Sequence, residues 1–503
     1  MSDASRQRKI GLILSYTTMV LGNVVSIIYT PWMLRTIGQS EYGVYTLVSS
    51  FVAYLGLMDF GLGGTYMRFY SQSKARNRKD ETAALNGMFL SIFVLIGIVC
   101  CLAGYILSQN PSVVFGNKLT YSELDTAGIL TLLLSINVAL SLVFKVFSTI
   151  INANERFIYI KLINLISTIA NPLLTIVLLV NGIGTISLVI VSLVVNIVSG
   201  ILNIIFCIRH LHIQVSFENW NRRLLAGIFS VAIWLFLGEI VDQINWSVDK
   251  YLLGWFSGSV AVAVYGIAAQ LNSYFRQFST YIYNLYVPEV NNIVATSDDN
   301  SELLSLITRV GRLQFSVLAL ILSGFIFFGH SFCCLWAGIE YSESYVIGVI
   351  LMIPTIIPLI QNTAMSVLIA RNKHKFRSLV YLAIAISNLC MSIPLGKLYG
   401  GIGCAIGTAA SMIIGNGLVI NWYYQKIGLR IKEFWKSILM MSRFLIIPVA
   451  FGLVLKFLID DSTWVMLLLS ILLYTIVYIF SIYRIGFNED EKTVFKGLFK
   501  GKF

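Results

Sequence analysis

The sequence predicts an all-α integral membrane protein of about fourteen transmembrane helices, arranged as two six-helix lobes plus a C-terminal pair. Three observations carry this: the composition, the alternation of charge between connections, and an internal repeat. Of 503 residues, 57% are hydrophobic and 12% charged. A soluble domain carries roughly 25% charged residues, so a non-aqueous solvent is implied. Runs such as 173–180, 187–207 and 466–482 hold almost no charge. They recur at about the 20-residue length that crosses a hydrocarbon core.

Taken in order, the first six spans fall near 10–31, 43–65, 86–108, 125–150, 158–180 and 184–207. Six more follow near 225–247, 259–287, 313–337, 344–369, 378–399 and 401–424, and a last pair near 438–458 and 464–484. Residues 1–11 are short and basic, and 10–31 is too long for the apolar core of a signal peptide. The first span is therefore expected to persist in the mature chain.

One set of connections is basic. It holds Arg6, Arg8 and Lys9 at the N-terminus, then Arg68, Lys74, Arg76, Arg78 and Lys79, then Arg156 and Lys161. Arg209, Arg222, Arg223, Arg309, Arg312, Arg371, Lys373, Lys375 and Arg377 continue it, Lys426, Arg430, Lys432, Lys436 and Arg443 follow, and Arg484, Lys492, Lys496, Lys500 and Lys502 close the tail. Opposite them stand only Arg35, Lys118, Lys250, Lys397 and Lys456. The positive-inside rule then puts both termini in the cytoplasm, which requires an even number of spans. The net charge of +12 is thus topological, and nucleic acid is not expected as a partner. Seven cysteines lie in or beside apolar runs with no CxxC pair, so they read as small core residues.

Ile150, Phe157 and Gly182-Ile183-Gly184 match Ile369, Phe376 and Gly401-Ile402-Gly403 at an offset of 219 residues. Gly38 and Val44-Tyr45 match Gly258 and Val264-Tyr265 at 220. These offsets divide the chain into an N-terminal lobe (1–207), a cytoplasmic linker (208–224), a C-terminal lobe (225–424) and an added pair with a basic tail (425–503). Six spans per lobe make the repeat parallel, with a pseudo-two-fold axis along the membrane normal. Such a design places a cavity between rocking lobes.

Two stretches carry a resemblance. One is Leu34, Ile37-Gly38 and Glu41-Tyr42-Gly43-Val44-Tyr45, then Asp59-Phe60-Gly61-Leu62-Gly63 and Arg68; the other is 247–256, continued by 261–265 and Leu271. Together they resemble the O-antigen and capsule repeat-unit flippases of the multidrug/oligosaccharidyl-lipid/polysaccharide exporter superfamily, across both lobes. The resemblance implies export of an undecaprenyl-pyrophosphate-linked oligosaccharide from the cytoplasmic to the outer leaflet of a bacterial plasma membrane. It also implies the matching polymerase and glycosyltransferases as partners. Lipid II flippases are similar too, but carry Arg-Asp where Tyr29-Thr30 stand and an Arg near Gln270. Those departures argue against a peptidoglycan precursor.

An ionisable group at membrane depth costs at least about 2.5 kcal/mol, so each needs a reason. Lys145, among Leu142, Val143, Val146 and Phe147, and Arg276, in the middle of the eighth span, are expected to meet the substrate pyrophosphate, with Arg68 at the cytoplasmic mouth. Lys145 snorkelling to headgroups, and Arg68 as an ordinary positive-inside residue, are the competing readings. Glu239 and Asp242, three apart on one helical face with Asn245 a further turn on, form a candidate site for a coupling proton or sodium ion. The competing reading is a neutral carboxyl bonded between helices. Asn388 and Thr408 join that site on the resemblance to lipid II flippases. Asp59 is expected to close the second span structurally. The aromatics of the eighth span (Tyr274, Phe275, Phe278, Tyr281, Tyr283 and Tyr286) read chiefly as packing or interface residues.

A multidrug extruder of the same fold is the nearest alternative, though it would want a more acidic cavity. A membrane enzyme acting on polyprenyl-linked glycans is the other. The longest connections, 66–85 and 288–312, offer no Ser-His-Asp, HExxH or P-loop pattern. No cofactor is expected beyond a coupling Na+ or H+.

Overall fold

The computed structural model describes residues 3–217, 222–296, 300–371, 375–489 and 491–493, and among them every regular element is helical. Lys373, Lys496, Lys500 and Lys502 lie outside the described residues, as does 218–221 of the linker. The first block comprises α1 (Asp3–Ile37), α2 (Gln39–Gly56), α3 (Leu62–Ala75), α4 (Lys79–Gln109), a short α5 (Pro111–Phe115), α6 (Tyr121–Ala153), α7 (Phe157–Val180) and α8 (Ile186–Arg209). The second comprises α9 (Arg222–Ser257), α10 (Ser259–Thr296), α11 (Asn300–Trp336), α12 (Glu343–Ile360), α13 (Asn362–Ala370), α14 (Lys375–Met412) and α15 (Asn421–Lys426). A third group follows, made of α16 (Ile431–Ser442), α17 (Ile446–Leu458) and α18 (Trp464–Ser481).

Among the described residues, 11 helical stretches are long and apolar enough to cross a membrane. One of them, Phe376–Lys426, contains two of the expected spans, because α14 turns at Gly400 (φ 57°, ψ −134°). A Cβ is strained in that region, so glycine marks the turn. α9 and α10, which carry Glu239, Asp242 and Arg276, are not among these 11.

The connections 66–85 and 288–312, expected as loops, are mostly helix. α3 runs to Ala75 and α4 starts at Lys79; α10 runs to Thr296 and α11 starts at Asn300. At 1.5 Å per residue the 38 residues of α10 span about 57 Å, well beyond a hydrocarbon core of about 30 Å. A helix already nucleated in lipid needs only propagation to continue into water. Polar composition alone does not end it.

The repeat is visible in the element order. α1, α2–α3, α4, α6, α7 and α8 recur about 220 residues later as α9, α10, α11, α12–α13 and the two arms of α14 with α15. Gly38 (φ 82°) and Gly258 (φ 86°) occupy the same joint in the two copies.

Packing divides the chain into two compact units, Met1–Ala263 and Val264–Phe503. α9 follows the linker in sequence yet packs with the first unit, against α2 and α3. Lipid offers helices little hydrophobic gain from association, so contact depends on fit and on small residues. In the first unit Gly97, Cys100 and Gly104 of α4 are buried, and Gly97 and Gly104 meet Ala139 and Ser135 of α6. Tyr66, Phe89 and Phe93 complete that core, with the Tyr66 and Phe89 rings 4.4 Å apart. In the second unit Phe327, Phe328, Tyr474 and Tyr478 join α11 to α18. The Tyr478 hydroxyl donates to the Ser316 carbonyl at 2.7 Å. Arg312 grips the Glu491 carboxylate through two contacts of 2.7 Å and donates to the Gly486 carbonyl at 2.8 Å. Cys100, Cys207, Cys333 and Cys404 are buried as small core residues, whereas Cys390 is exposed on α14.

Candidate functional site

The signature 59–63 interrupts the second span in its interior. α2 tightens into a short 3-10 turn, Leu57–Asp59, and Phe60 (φ 50°) and Gly61 (φ 68°) then take left-handed backbone. α3 restarts at Leu62, which is fully buried. Phe60 tolerates the strained conformation because its ring packs on Phe236 of α9, with centroids 4.9 Å apart. The Thr65 hydroxyl and backbone N–H both donate to the Gly61 carbonyl, at 3.0 and 3.3 Å, where α3 restarts.

The break delivers Asp59 to Lys145 of α6. The Lys145 ammonium donates to Asp59 Oδ2 at 2.7 Å, with the Asp59 side chain 5% exposed and that of Lys145 43% exposed. Asp59 Oδ1 is buried and accepts no hydrogen bond among the described residues. Gly63 makes room for the cation: a Cβ there would lie 2.4 Å from Lys145 Cε and 2.7 Å from Nζ. Within the Asp-Phe-Gly-Leu-Gly stretch, Asp59 and Gly63 thus both meet Lys145. Lys145, expected to meet either the substrate pyrophosphate or the headgroups, stands beside a buried carboxylate with its side chain still partly exposed. An acid holds it.

Glu239 and Asp242 are on the exposed side of α9, and Glu239 lies within electrostatic reach of Asp59, Lys145 and Asp242. Acids therefore gather around the Asp59–Lys145 pair. The exposed Arg68 lies on α3, nine residues beyond Asp59.

The remaining predicted residues belong to the second unit. Arg276 is half-buried on α10. Asn388 and Thr408 do meet: Asn388 Oδ1 accepts from the Thr408 hydroxyl at 3.0 Å and from Ser392 at 2.9 Å. Asn388 Nδ2 is buried with no hydrogen-bond partner among the described residues.

The signature at the start of α2 is structural. Thr185 donates to Glu41, and Ser40 and Ser259 both donate to Glu123 Oε1. Sequence reasoning did not single out Glu123. Its signal was a Thr-x-x-Glu capping box at Thr120, which the helix start bears out.

Residues 10–288 match a family model described as polysaccharide biosynthesis protein. A putative O-antigen transporter of Shigella flexneri is 22% identical over 400 residues, covering 78% of this chain and 92% of its own. A probable flippase of Haloferax volcanii, AglR, is 21% identical over 411 residues, covering 81% and 82%. Among solved structures, the lipid II flippase MurJ in an inward closed conformation matches at TM-score 0.71 and 18% identity, over 94% of this chain and 99% of its own. An inward-facing multidrug resistance transporter of the MATE family matches at 0.59 and 12% identity, over 85% and 99%. The structural matches speak for the fold alone, a helical architecture shared with MurJ and with the MATE transporter.

Proposed function

Because the chain belongs to the polysaccharide biosynthesis protein family, we propose that it is a flippase carrying an undecaprenyl-pyrophosphate-linked oligosaccharide, such as an O-antigen or capsule repeat unit, from the cytoplasmic to the outer leaflet of a bacterial plasma membrane. The names of its relatives, a putative O-antigen transporter and a probable flippase, support this reading. Both termini are cytoplasmic in this reading, and the two repeats act as lobes that alternate access. The matching polymerase and glycosyltransferases are its partners in the membrane.

The observation that carries the mechanism is the Asp59–Lys145 pair at the broken second span. A pyrophosphate moving out of water needs cations to replace hydration. Lys145 supplies one by exchanging Asp59 for the phosphate. Asp59 and the nearby Glu239 then lose the field of that cation, and uptake of a proton or a sodium ion at this acidic group, which Asp242 extends, offsets the loss. Substrate binding and ion binding become one event. Arg276 serves as the second unit's cation for the anionic carrier and Arg68 as a recruiter on α3. Asn388 and Thr408 support coupling from α14, where their mutual bond keeps a polar centre in place.

A leaflet-accessibility assay on proteoliposomes with lipid-linked oligosaccharide tests this. The parent protein is expected to expose the glycan to an external probe and Lys145→Met is not. Equal exposure by both would reject the role of the pair, and no exposure by the parent under any ion gradient would reject the flippase reading.

A further inference from the structure

We infer that the outward face of α16 binds the anionic headgroups of phospholipids in the leaflet where the C-terminal helix pair begins. α16 has two dissimilar faces. Ile431, Phe434, Ile438 and Met441 are buried at spacings of three and four, and this face packs on α11. The other stripe lines a shallow cavity of about 460 Å3 formed by Lys432, Trp435, Lys436, Leu439, Met440 and Arg443.

The cations of that stripe lack acids. The one glutamate of α16, Glu433, pairs with Arg430 at 3.2 Å, and among the described residues Lys432, Lys436 and Arg443 form no ion pair. Between them Leu439 is 65% exposed and Met440 47% exposed. A soluble anion would use the charges and leave this apolar surface in water. An amphiphile with an anionic head uses both.

The cavity is also held in shape. The Trp435 indole donates to Asn421 Oδ1 at 2.8 Å, and Gln361 donates to the same oxygen at 2.7 Å. Spacing selects the occupant. Lys432 to Arg443 covers about 16 Å of helix axis at 1.5 Å per residue, so the three cations do not converge on a single pyrophosphate. Separate headgroups along the leaflet fit that row. The inference does not depend on the transport reading.

The test uses the full-length protein in phosphatidylcholine nanodiscs with a titrated share of phosphatidylglycerol, and bound lipid is counted by native mass spectrometry. The parent retains phosphatidylglycerol. Each cation near a charged surface is worth roughly a fivefold change in binding. The triple variant Lys432→Gln, Lys436→Gln and Arg443→Gln is therefore expected to weaken retention about a hundredfold. A control carrying Arg76→Gln, Arg78→Gln and Lys79→Gln on the α3–α4 turn should stay near the parent. Lys432→Arg with Lys436→Arg keeps the charges and should keep the lipid. Should the triple variant misfold, judged by its thermal midpoint in neutral detergent, Lys436→Gln alone is read instead, with a loss of roughly fivefold. Equal retention by parent and Gln variants overturns the site. Preference of this face for undecaprenyl pyrophosphate over phosphatidylglycerol overturns the assignment to bulk phospholipid.

Discussion

The two repeats each contain one broken helix, and opposite kinds of side chain stand at the two breaks. In the first repeat the second span opens at 57–61, while the fourth, α6, is continuous and supplies Lys145 to Asp59. In the second repeat the counterpart of the second span, α10, is continuous, and the counterpart of α6 opens at Gln361 (φ −107°, ψ 8°) between α12 and α13. Ser279, about 220 residues beyond Asp59, then donates to the freed Leu359 carbonyl at 2.9 Å. Gln314 donates to the Ser279 hydroxyl at 2.9 Å and Asn362 does so at 3.3 Å. Neutral groups therefore suffice to mend a broken helix at this place in the fold. The first repeat uses a buried carboxylate with one oxygen left unbonded, an arrangement that costs stability. Charge there is not explained by backbone repair, and the proposed exchange with a charged ligand would give it a use.

The largest expected effect is on transport. Lys145→Met removes the cation and leaves Asp59 buried beside Glu239, so translocation in the leaflet assay should fall at least a hundredfold. Stability should also drop, by about 2 kcal/mol; a wholly buried pair loses about 3–5 kcal/mol, and the 43% exposure of the Lys145 side chain lowers the figure. Asp59→Ser with Lys145→Asn rebuilds in the first repeat the neutral chemistry of the second. Its thermal midpoint should return close to the parent while transport stays absent. Active transport by this double variant would erase the distinction between the two breaks.

Much of this was legible beforehand, and the rest was hidden for physical reasons. Apolar runs located most of the membrane-length helices, and the Gly400 turn falls between the expected eleventh and twelfth spans. Glu239 and Asp242 share a face because helical periodicity is local. The 59–63 stretch was recognised as a signature, yet the bond from Asp59 to Lys145 was not, since 86 residues separate them and only packing brings them together. Nothing in Phe60 itself foretells left-handed backbone; the Phe236 ring permits it. The break at Gln361 had a hint in Pro354 and Pro358, but proline alone does not say whether a helix bends or stops. Polar segments 66–85 and 288–312 misled because helix propagation outlasts the membrane.

A smaller effect is expected from Gly63→Ala. Its Cβ would intrude on the stem of Lys145, which is flexible and can move, so the cost should be about 1 kcal/mol rather than the ~3 of a rigid clash. The ammonium would shift away from Asp59 Oδ2. Transport should fall about tenfold, between parent and Lys145→Met, if rate follows the geometry of the pair. Unaltered transport with an altered thermal midpoint would mean that the pair serves folding alone.

The smallest effect belongs to the neutral break. Ser279→Ala deletes the donor to the Leu359 carbonyl and the acceptor used by Gln314 and Asn362. An unsatisfied buried group costs about 1–3 kcal/mol, and the loss should sit near the lower end because Gln314 still donates to the Ser279 backbone carbonyl at 3.2 Å. The thermal midpoint should fall by a few degrees. Transport at a temperature well below it should stay within about threefold of the parent, as the hydroxyl carries no charge for a pyrophosphate or an ion to exchange with. A loss as deep as that of Lys145→Met would place the functional chemistry in both repeats and make the charged pair only one half of it.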